Sequence, residues 1–307
     1  MAILDKANNN CDYFLLNGES DITMMEDSNK STYVVSGKSY TAVAVNTAAM
    51  AGEFIKSKLG DIKKVSQKYS THDLVTEVDK GAETLIRKLI GTHFPQHHIL
   101  GEEGVQPGPE ASAKAIAEYA DAEYLWIVDP IDGTTNFVHG FPFFCVSIAL
   151  AHKGEVIVGV IYDPTRDEIF VAEKGKGAYL KGVKMEVSNE ESLSGSLIAT
   201  GLPADHLHAL PINLAGINSI APKVRNLRIA GSAALHLAYV AAGRLSGFWE
   251  IGLNSWDIAA GALLVSESGG TVTDINGHAF TLATRDIVAT NGHVHQELVD
   301  ELGLVGE

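Results

Sequence analysis

The sequence predicts a mixed α/β chain arranged as two layered subdomains, and three features of its 307 residues predict it. First, the middle of the chain is β-rich. Residues 124–128, 143–151, 155–162 and 168–172 are short runs of β-branched, aromatic and other apolar residues separated by Gly, Asp and Pro, the pattern of consecutive strands. Second, the pattern then changes to alanine-rich helical stretches at 233–242 and 256–268, each closed by glycine (Gly243, and Gly269-Gly270), with short strands at 197–200, 247–250 and 270–273. Third, 46% hydrophobic and 20% charged residues are an ordinary globular balance, in a chain long enough to bury its core without disulfide staples. A β-rich part followed by alternating α and β implies two layers of structure joined near residues 183–195.

The remaining elements follow in order. Residues 1–38 are polar, rich in Asn, Asp and Ser, and without a period; they read as a flexible extension. Ser39 is placed to cap a helix running to about Lys58, with Val43, Ala48, Ala51, Phe54 and Ile55 at helical spacing. A second helix is predicted over 79–90, with Leu85, Ile86, Leu89 and Ile90 as its apolar stripe. The segment Asp73-Leu74-Val75-Thr76-Glu77-Val78 before it reads as a strand, with Asp79 near the helix cap. Lys153-Gly154 reads as a hairpin turn. There is no internal repeat.

Net charge narrows the function classes. With 23 basic and 38 acidic side chains the chain carries −15. Such a surface repels a nucleic-acid backbone, so duplex binding is not expected. It also repels phosphate, so a phosphate-handling site would need local positive charge, and carboxylates holding metal ions are one way to supply it. The two cysteines, Cys11 and Cys145, lie far apart and outside any CxxC pattern, which argues against a disulfide framework or zinc ribbon and fits a reducing compartment. No run reaches the roughly 18 apolar residues of a membrane span. The start lacks the basic-then-apolar layout of a secretory signal. The expectation is a soluble, cytoplasmic protein.

The chemistry concentrates in Trp126-Ile127-Val128-Asp129-Pro130-Ile131-Asp132-Gly133-Thr134-Thr135-Asn136. An apolar strand runs into Asp129, Pro130 ends it, and a turn aims Asp129 and Asp132 into one space. Gly133 supplies backbone freedom, and Thr134-Thr135 opens a short helix whose free N–H groups are an anion site. One loop thus offers hard oxygen ligands beside a phosphate cradle. Three further acidic clusters accompany it: Gly101-Glu102-Glu103-Gly104 after an apolar run, Asp257 beside Trp256 at the start of an apolar helix, and the segment 73–79. Each alone also fits an ordinary reading, as a solvated loop or a helix-terminal acid.

Together they are specific. The chain resembles the inositol monophosphatase family, within the lithium-sensitive, magnesium-dependent phosphatases. The resemblance rests on Gly-Glu-Glu at 101–103, Asp-Pro-Ile-Asp-Gly-Thr-Thr-Asn at 129–136 and Trp-Asp-x-Ala-Ala at 256–260, in that order. It continues through Phe137-Val138-His139-Gly140-Phe141-Pro142, Glu173-Lys174-Gly175-Lys176-Gly177-Ala178 and Gly231-Ser232-Ala233-Ala234, covering roughly residues 40–295.

The resemblance implies an α+β / α/β fold, a layered α-β-α-β-α sandwich of the inositol monophosphatase / fructose bisphosphatase type, usually as a homodimer. It divides the chain into the extension 1–38, a metal- and phosphate-binding subdomain 39–185 and a substrate-binding subdomain 186–307. It implies two to three Mg²⁺ per subunit. Glu102, Asp129 and the carbonyl of Ile131 match ligands of one ion; Asp129, Asp132 and Asp257 match ligands of a second; Glu102 also serves a third, weaker one. Asp79 and Thr134 resemble the pair that orients and deprotonates the attacking water. Gly133 and Thr134 would present N–H groups to the phosphate. Gly231, Ser232, Ala233 and Glu250 fall where the family contacts substrate hydroxyls. Lys68 matches a lysine at the mouth of the site, although the stretch between it and Asp73 departs from the commonest form.

The implied substrate is inositol monophosphate or a similar polyol or sugar phosphate. Fructose bisphosphate, histidinol phosphate, NADP and 3′-phosphonucleotides are the alternatives within the same chemistry. Bulky nucleotides would need a more open and basic pocket; the acidic balance and Glu250 favour a polyol. A regulatory binding role on the same scaffold is the alternative of another class, and retention of every expected ligand argues that catalysis is kept. Other phosphatase signatures are missing from the sequence: no Cys-x5-Arg, Arg-His-Gly, Asp-x-Asp or P-loop occurs. His97, His98 and His139 lack metal-pair spacing and read as exposed or structural.

Overall fold

The computed structural model describes residues 14–16, 20–27, 30–35, 39–65, 71–106, 108–202 and 209–303. In chain order the elements are β1 (Phe14–Leu16), β2 (Ser20–Asp27), β3 (Lys30–Val35), α1 (Tyr40–Val65), α2 (Thr71–His93), β4 (His98–Gly101), α3 (Pro109–Ala117), β5 (Tyr124–Asp132) and α4 (Thr134–His139). Then follow β6 (Cys145–His152), β7 (Glu155–Asp163), β8 (Glu168–Glu173), β9 (Gly177–Leu180), β10 (Val183–Lys184), β11 (Leu197–Thr200), α5 (Ala209–Ile220) and β12 (Asn226–Ile229). The last are α6 (Ala233–Ala241), β13 (Gly247–Glu250), α7 (Ser255–Glu267), β14 (Thr271–Asp274), β15 (Ile287–Thr290) and α8 (His295–Gly303).

Strands β4–β10 form one seven-stranded sheet, and β11–β15 form a five-stranded sheet in the order β12-β11-β13-β15-β14. Side chains alternate along the larger sheet, as a period of two requires. Trp126, Val128, Val146, Ile148, Val158 and Val160 pack against α1 and α2. Leu125, Ile127, Ala149 and Ile161 pack on the opposite side with α6 and α7. Burial on both faces explains why these strands read as near-continuous apolar runs. The other faces of α6 and α7 meet Ala199, Phe248 and Ala289 of the smaller sheet. That sheet's far side packs Ile198, Trp249 and Val288 against Leu298 and Leu302 of α8 and Ile220 of α5. The expected α-β-α-β-α layering is present.

Three differences from the sequence reading have physical causes. Ser39 does cap α1, its hydroxyl accepting the Ala42 N–H at 3.1 Å, but the helix continues past Lys58 to Val65. Helix α2 starts at Thr71, so 73–78 is helix rather than strand and Asp79 lies within it. Val78, Ala82, Ile86 and Ile90 form one buried stripe at four-residue spacing, and that tertiary packing overrides the β preference of a Val/Thr-rich run. Within 1–38, read as structureless, β1–β3 pair as an antiparallel sheet. His97 is structural: it stacks on Tyr124 at 4.4 Å and accepts the Trp126 indole N–H at 3.1 Å. Cys145 is a buried free thiol; Cys11 lies outside the described residues.

A candidate active site where carboxylates meet

Strand direction explains why distant motifs come together. β4 and β5 run parallel, with Gly101 opposite Val128, so the 3-10 turn Glu102–Gly104 and the Asp129 end of β5 leave the sheet side by side. β11, β12 and β13 are also parallel. Their C-terminal ends carry Gly201, Gly231 and Glu250 and face the same region. Crevices at the carboxyl ends of parallel strands are where open α/β sheets bind ligands.

The DPIDG stretch is shaped by a bulge. Asp129 lies opposite Ser147, whereas Asp132 lies opposite Cys145, so three steps on β5 match two on β6. Residues three apart in a regular strand point to opposite faces; the extra residue restores parity, and both aspartates face one side. The Asp129 carboxylate accepts the Ile131 N–H at 2.9 Å, which fixes the bend. Gly133 follows at φ +92°. A Cβ there would lie 2.9 Å from the Phe143 carbonyl oxygen and 3.3 Å from that of Gly231, so glycine is required both for conformation and for space.

Burial then works on a cluster of acids. Asp79, Asp129, Asp132 and Glu250 are buried, and Glu102 and Asp257 are partly buried. Burial raises the Asp79 carboxyl to about 7, with the Glu103 charge adding to it. Glu102 is raised to about 7, chiefly by burial and further by Asp79, Glu103 and Asp132. Asp129 and Asp257 are pushed well above the ordinary range by burial, with repulsion from Glu102 and Asp132 in both cases. Burial raises Glu250 to about 8, with Asp132 and Asp257 adding to it. Asp132 reaches only about 6 because donors offset its burial. Its Oδ2 accepts the Ser232 hydroxyl at 2.6 Å and the Ala234 N–H at 2.7 Å. Positive charge reaches the cluster from its edge, Arg285 near Asp257 and Lys80 near Glu103.

The structure thus gathers Asp79, Glu102, Asp129, Ile131, Asp132, Gly133, Thr134, Gly231, Ser232, Ala233, Glu250 and Asp257 in one region; Lys68 lies outside the described residues. Two details differ from a simple transfer of roles. Ser232 caps α6, accepting the Leu235 N–H at 3.3 Å while donating to Asp132. At 1% exposure it faces inward. The Thr134 hydroxyl donates to the Ile131 carbonyl at 2.9 Å. Sequence reasoning gave no role to Asn136, whose amide donates to the carbonyls of Phe143 at 2.7 Å and Ala230 at 2.6 Å. The second bond ties the α4 turn to the residue after β12, 94 positions away. The position was visible in the motif; its partners were not.

Carboxylates with a backbone carbonyl are the hard donors that divalent cations such as Mg²⁺ prefer. Among the described residues no three acidic, His or Cys side chains already stand in a metal-holding arrangement. Glu102 and Asp129 lie close enough for each to shift the other, Glu102 raising Asp129 and Asp129 lowering Glu102. The donor set fits a hard cation. A groove of about 350 Å³ lined by Ile116, Tyr119, Leu125, Leu282 and Arg285 contains no carboxylate in its lining.

Buried acids at the strand ends of a layered α/β sandwich mark a ligand-binding crevice, and comparison with known proteins gives the class of protein. The inositol monophosphatase family model matches residues 37–303. Inositol monophosphatase 2 of Solanum lycopersicum is 44% identical over 265 residues, covering 86% of this chain and 97% of that protein. Nus factor SuhB of Escherichia coli K12 is 43% identical, covering 82% and 91%. The solved inositol monophosphatase from Anabaena sp. PCC 7120 superposes with a TM-score of 0.74 at 38% identity, covering 86% of this chain and 95% of that one. The chain belongs to the inositol monophosphatase family and is a phosphoric monoester hydrolase. Among the described residues no helix is long and apolar enough to cross a membrane.

Proposed function

We propose that the protein hydrolyses inositol monophosphate or a closely similar polyol phosphate, with Mg²⁺ held by Glu102, Asp129, Asp132, Asp257 and the Ile131 carbonyl. The observation that carries this reading is the convergence of these acids beside Glu250, all with raised proton affinity. Bound cations would neutralise phosphoryl oxygens, acidify the attacking water and stabilise the departing alkoxide. Asp79, poised near neutrality, accepts the proton of that water, with Thr134 relaying it. The Gly133 and Thr134 N–H groups at the start of α4 hold the phosphate, and Glu250 accepts hydrogen bonds from neighbouring substrate hydroxyls.

The homodimer is part of the same proposal, as is lithium inhibition: a small monovalent ion fills a Mg²⁺ position without its charge. The likeness to a Nus factor does not favour a purely regulatory role, because the expected acids are all retained. The test is phosphate release from a panel of phosphomonoesters in Mg²⁺, with and without EDTA. Inositol monophosphate should give the highest kcat/KM and EDTA should abolish turnover; full activity in EDTA overturns the mechanism.

A further inference from the structure

Glu83 sits one helical turn beyond Asp79 on α2, and its side chain is only 6% exposed. Its two carboxylate oxygens have separate tasks. Oε1 accepts the Arg87 Nε–H at 2.7 Å. Oε2 accepts the backbone N–H of Glu103 at 2.9 Å. Arg87 also donates through Nη1 to the Ile99 carbonyl on β4 at 3.0 Å. The carboxylate is therefore clamped between α2, the strand that delivers Glu102 and the turn that holds it.

Two features separate this from an ordinary i,i+4 helix pair, which is weak and needs no third partner. The Glu102–Gly104 turn begins after Gly101, which has no side chain to cap the free N–H groups. Glu83 supplies that cap from another element. Gly101 itself has φ −118° and ψ 150°, a backbone any residue adopts. Its lack of a side chain serves space: a Cβ there would fall 2.4 Å from the Glu83 Cδ and Oε2.

We propose that Glu83 is a positioning residue for the acidic site, holding the Glu102–Gly104 turn so that Glu102 faces Asp129, with Arg87 orienting Glu83 and Gly101 making room for it. This rests on reading Glu102 as a cation ligand. Partners that orient metal ligands typically change metal affinity 10–100-fold when removed.

The test uses the full chain and measures Mg²⁺ binding by calorimetry, with thermal unfolding recorded in parallel. Glu83→Ala and Gly101→Ala should each weaken Mg²⁺ binding about 10–100-fold, by deleting the carboxylate or by displacing it. KM for the phosphate ester at saturating Mg²⁺ should stay near wild type. The double variant should bind no more weakly than Glu83→Ala, because without the carboxylate the new methyl group has nothing to displace. Glu83→Gln, isosteric and folding more safely, should fall between Glu83→Ala and wild type. Unchanged Mg²⁺ affinity in Gly101→Ala and Glu83→Gln, with only the unfolding temperature lowered, overturns the proposal, as does additivity in the double variant. Glu102→Gln separates the two levels. If it leaves Mg²⁺ affinity intact, the reading of the site itself fails; if it weakens binding while the Glu83 variants do not, only the positioning role fails.

Discussion

Glu250 ends β13, and Gly201 follows the last residue of the neighbouring parallel strand β11. A Cβ on Gly201 would lie 2.0 Å from Glu250 Oε2, so the carboxylate occupies the space a side chain would take. The family resemblance pointed to Glu250, but nothing in one dimension connects it with a glycine 49 positions earlier. Glu250→Gln should cost about 1.5–3 kcal/mol in kcat/KM for inositol monophosphate, the range for hydrogen bonds to charged groups, and little for p-nitrophenyl phosphate, which lacks vicinal hydroxyls. Gly201→Ala should reproduce that split by displacing the same carboxylate. Equal losses on both substrates would assign Glu250 to ion binding or folding. Asp129 is the opposite case, a candidate marked by its own motif. Asp129→Asn should lower kcat more than tenfold, a barrier rise above about 1.4 kcal/mol, with circular dichroism unchanged; turnover above a tenth of wild type would remove it from the bridging position.

At the level of elements, α4 begins at Thr134 as expected, just after Gly133, but Pro130 does not end β5: the strand runs on through it to Asp132, which still pairs with Cys145 across the bulge. The bulge was not readable, since it exists only relative to the register of β6. The same limit explains α2. Its first two turns look like a strand locally, and only the stripe from Val78 to Ile90 packed under the larger sheet fixes them as helix. Asn136 shows what such cross-chain geometry does for the site. Its two amide bonds join the phosphate-proposed turn to Phe143, just before β6, and to Ala230, just before Gly231. Asn136→Ala leaves two carbonyls without their donor and should destabilise the fold by about 1–3 kcal/mol. It should also raise KM more than it lowers kcat, because Gly133 and Gly231 would no longer be held against each other. A variant with normal KM and only a lowered unfolding temperature would make Asn136 a purely structural tie.

Across the whole molecule, two sheets with their acid-bearing strand ends turned to one region bring many carboxylates out of water, and stability should record it. The sign follows from proton binding: where the folded state holds more protons than the unfolded one, stability falls as pH rises. Asp79 and Glu102 at about 7 and Glu250 at about 8 all lie above their unfolded values. Their stabilising protonated forms are fully present below the unfolded carboxylate range and are lost as pH climbs through 7 and 8. Other groups act elsewhere. Buried His236, held down to about 3 by burial, adds stability as the unfolded imidazole deprotonates, a contribution complete a little above pH 6.5. Glu168, lowered first by its bond to Arg244, loses its contribution only in acid. A window from pH 7 to 8.5 therefore reports chiefly the site acids; the buried Cys145 thiol, raised by burial, adds a fall of the same sign only toward its upper end. In EDTA the unfolding temperature should fall across it, since each unit of net shift is worth about 1.4 kcal/mol, a few degrees for a chain of this size. Saturating Mg²⁺ should reverse most of that fall, because a ligand that binds only the folded state adds stability and the ionised acids are what it binds. A flat or rising curve in EDTA between pH 7 and 8.5 would show that these carboxylates are not held together at the expense of their charge.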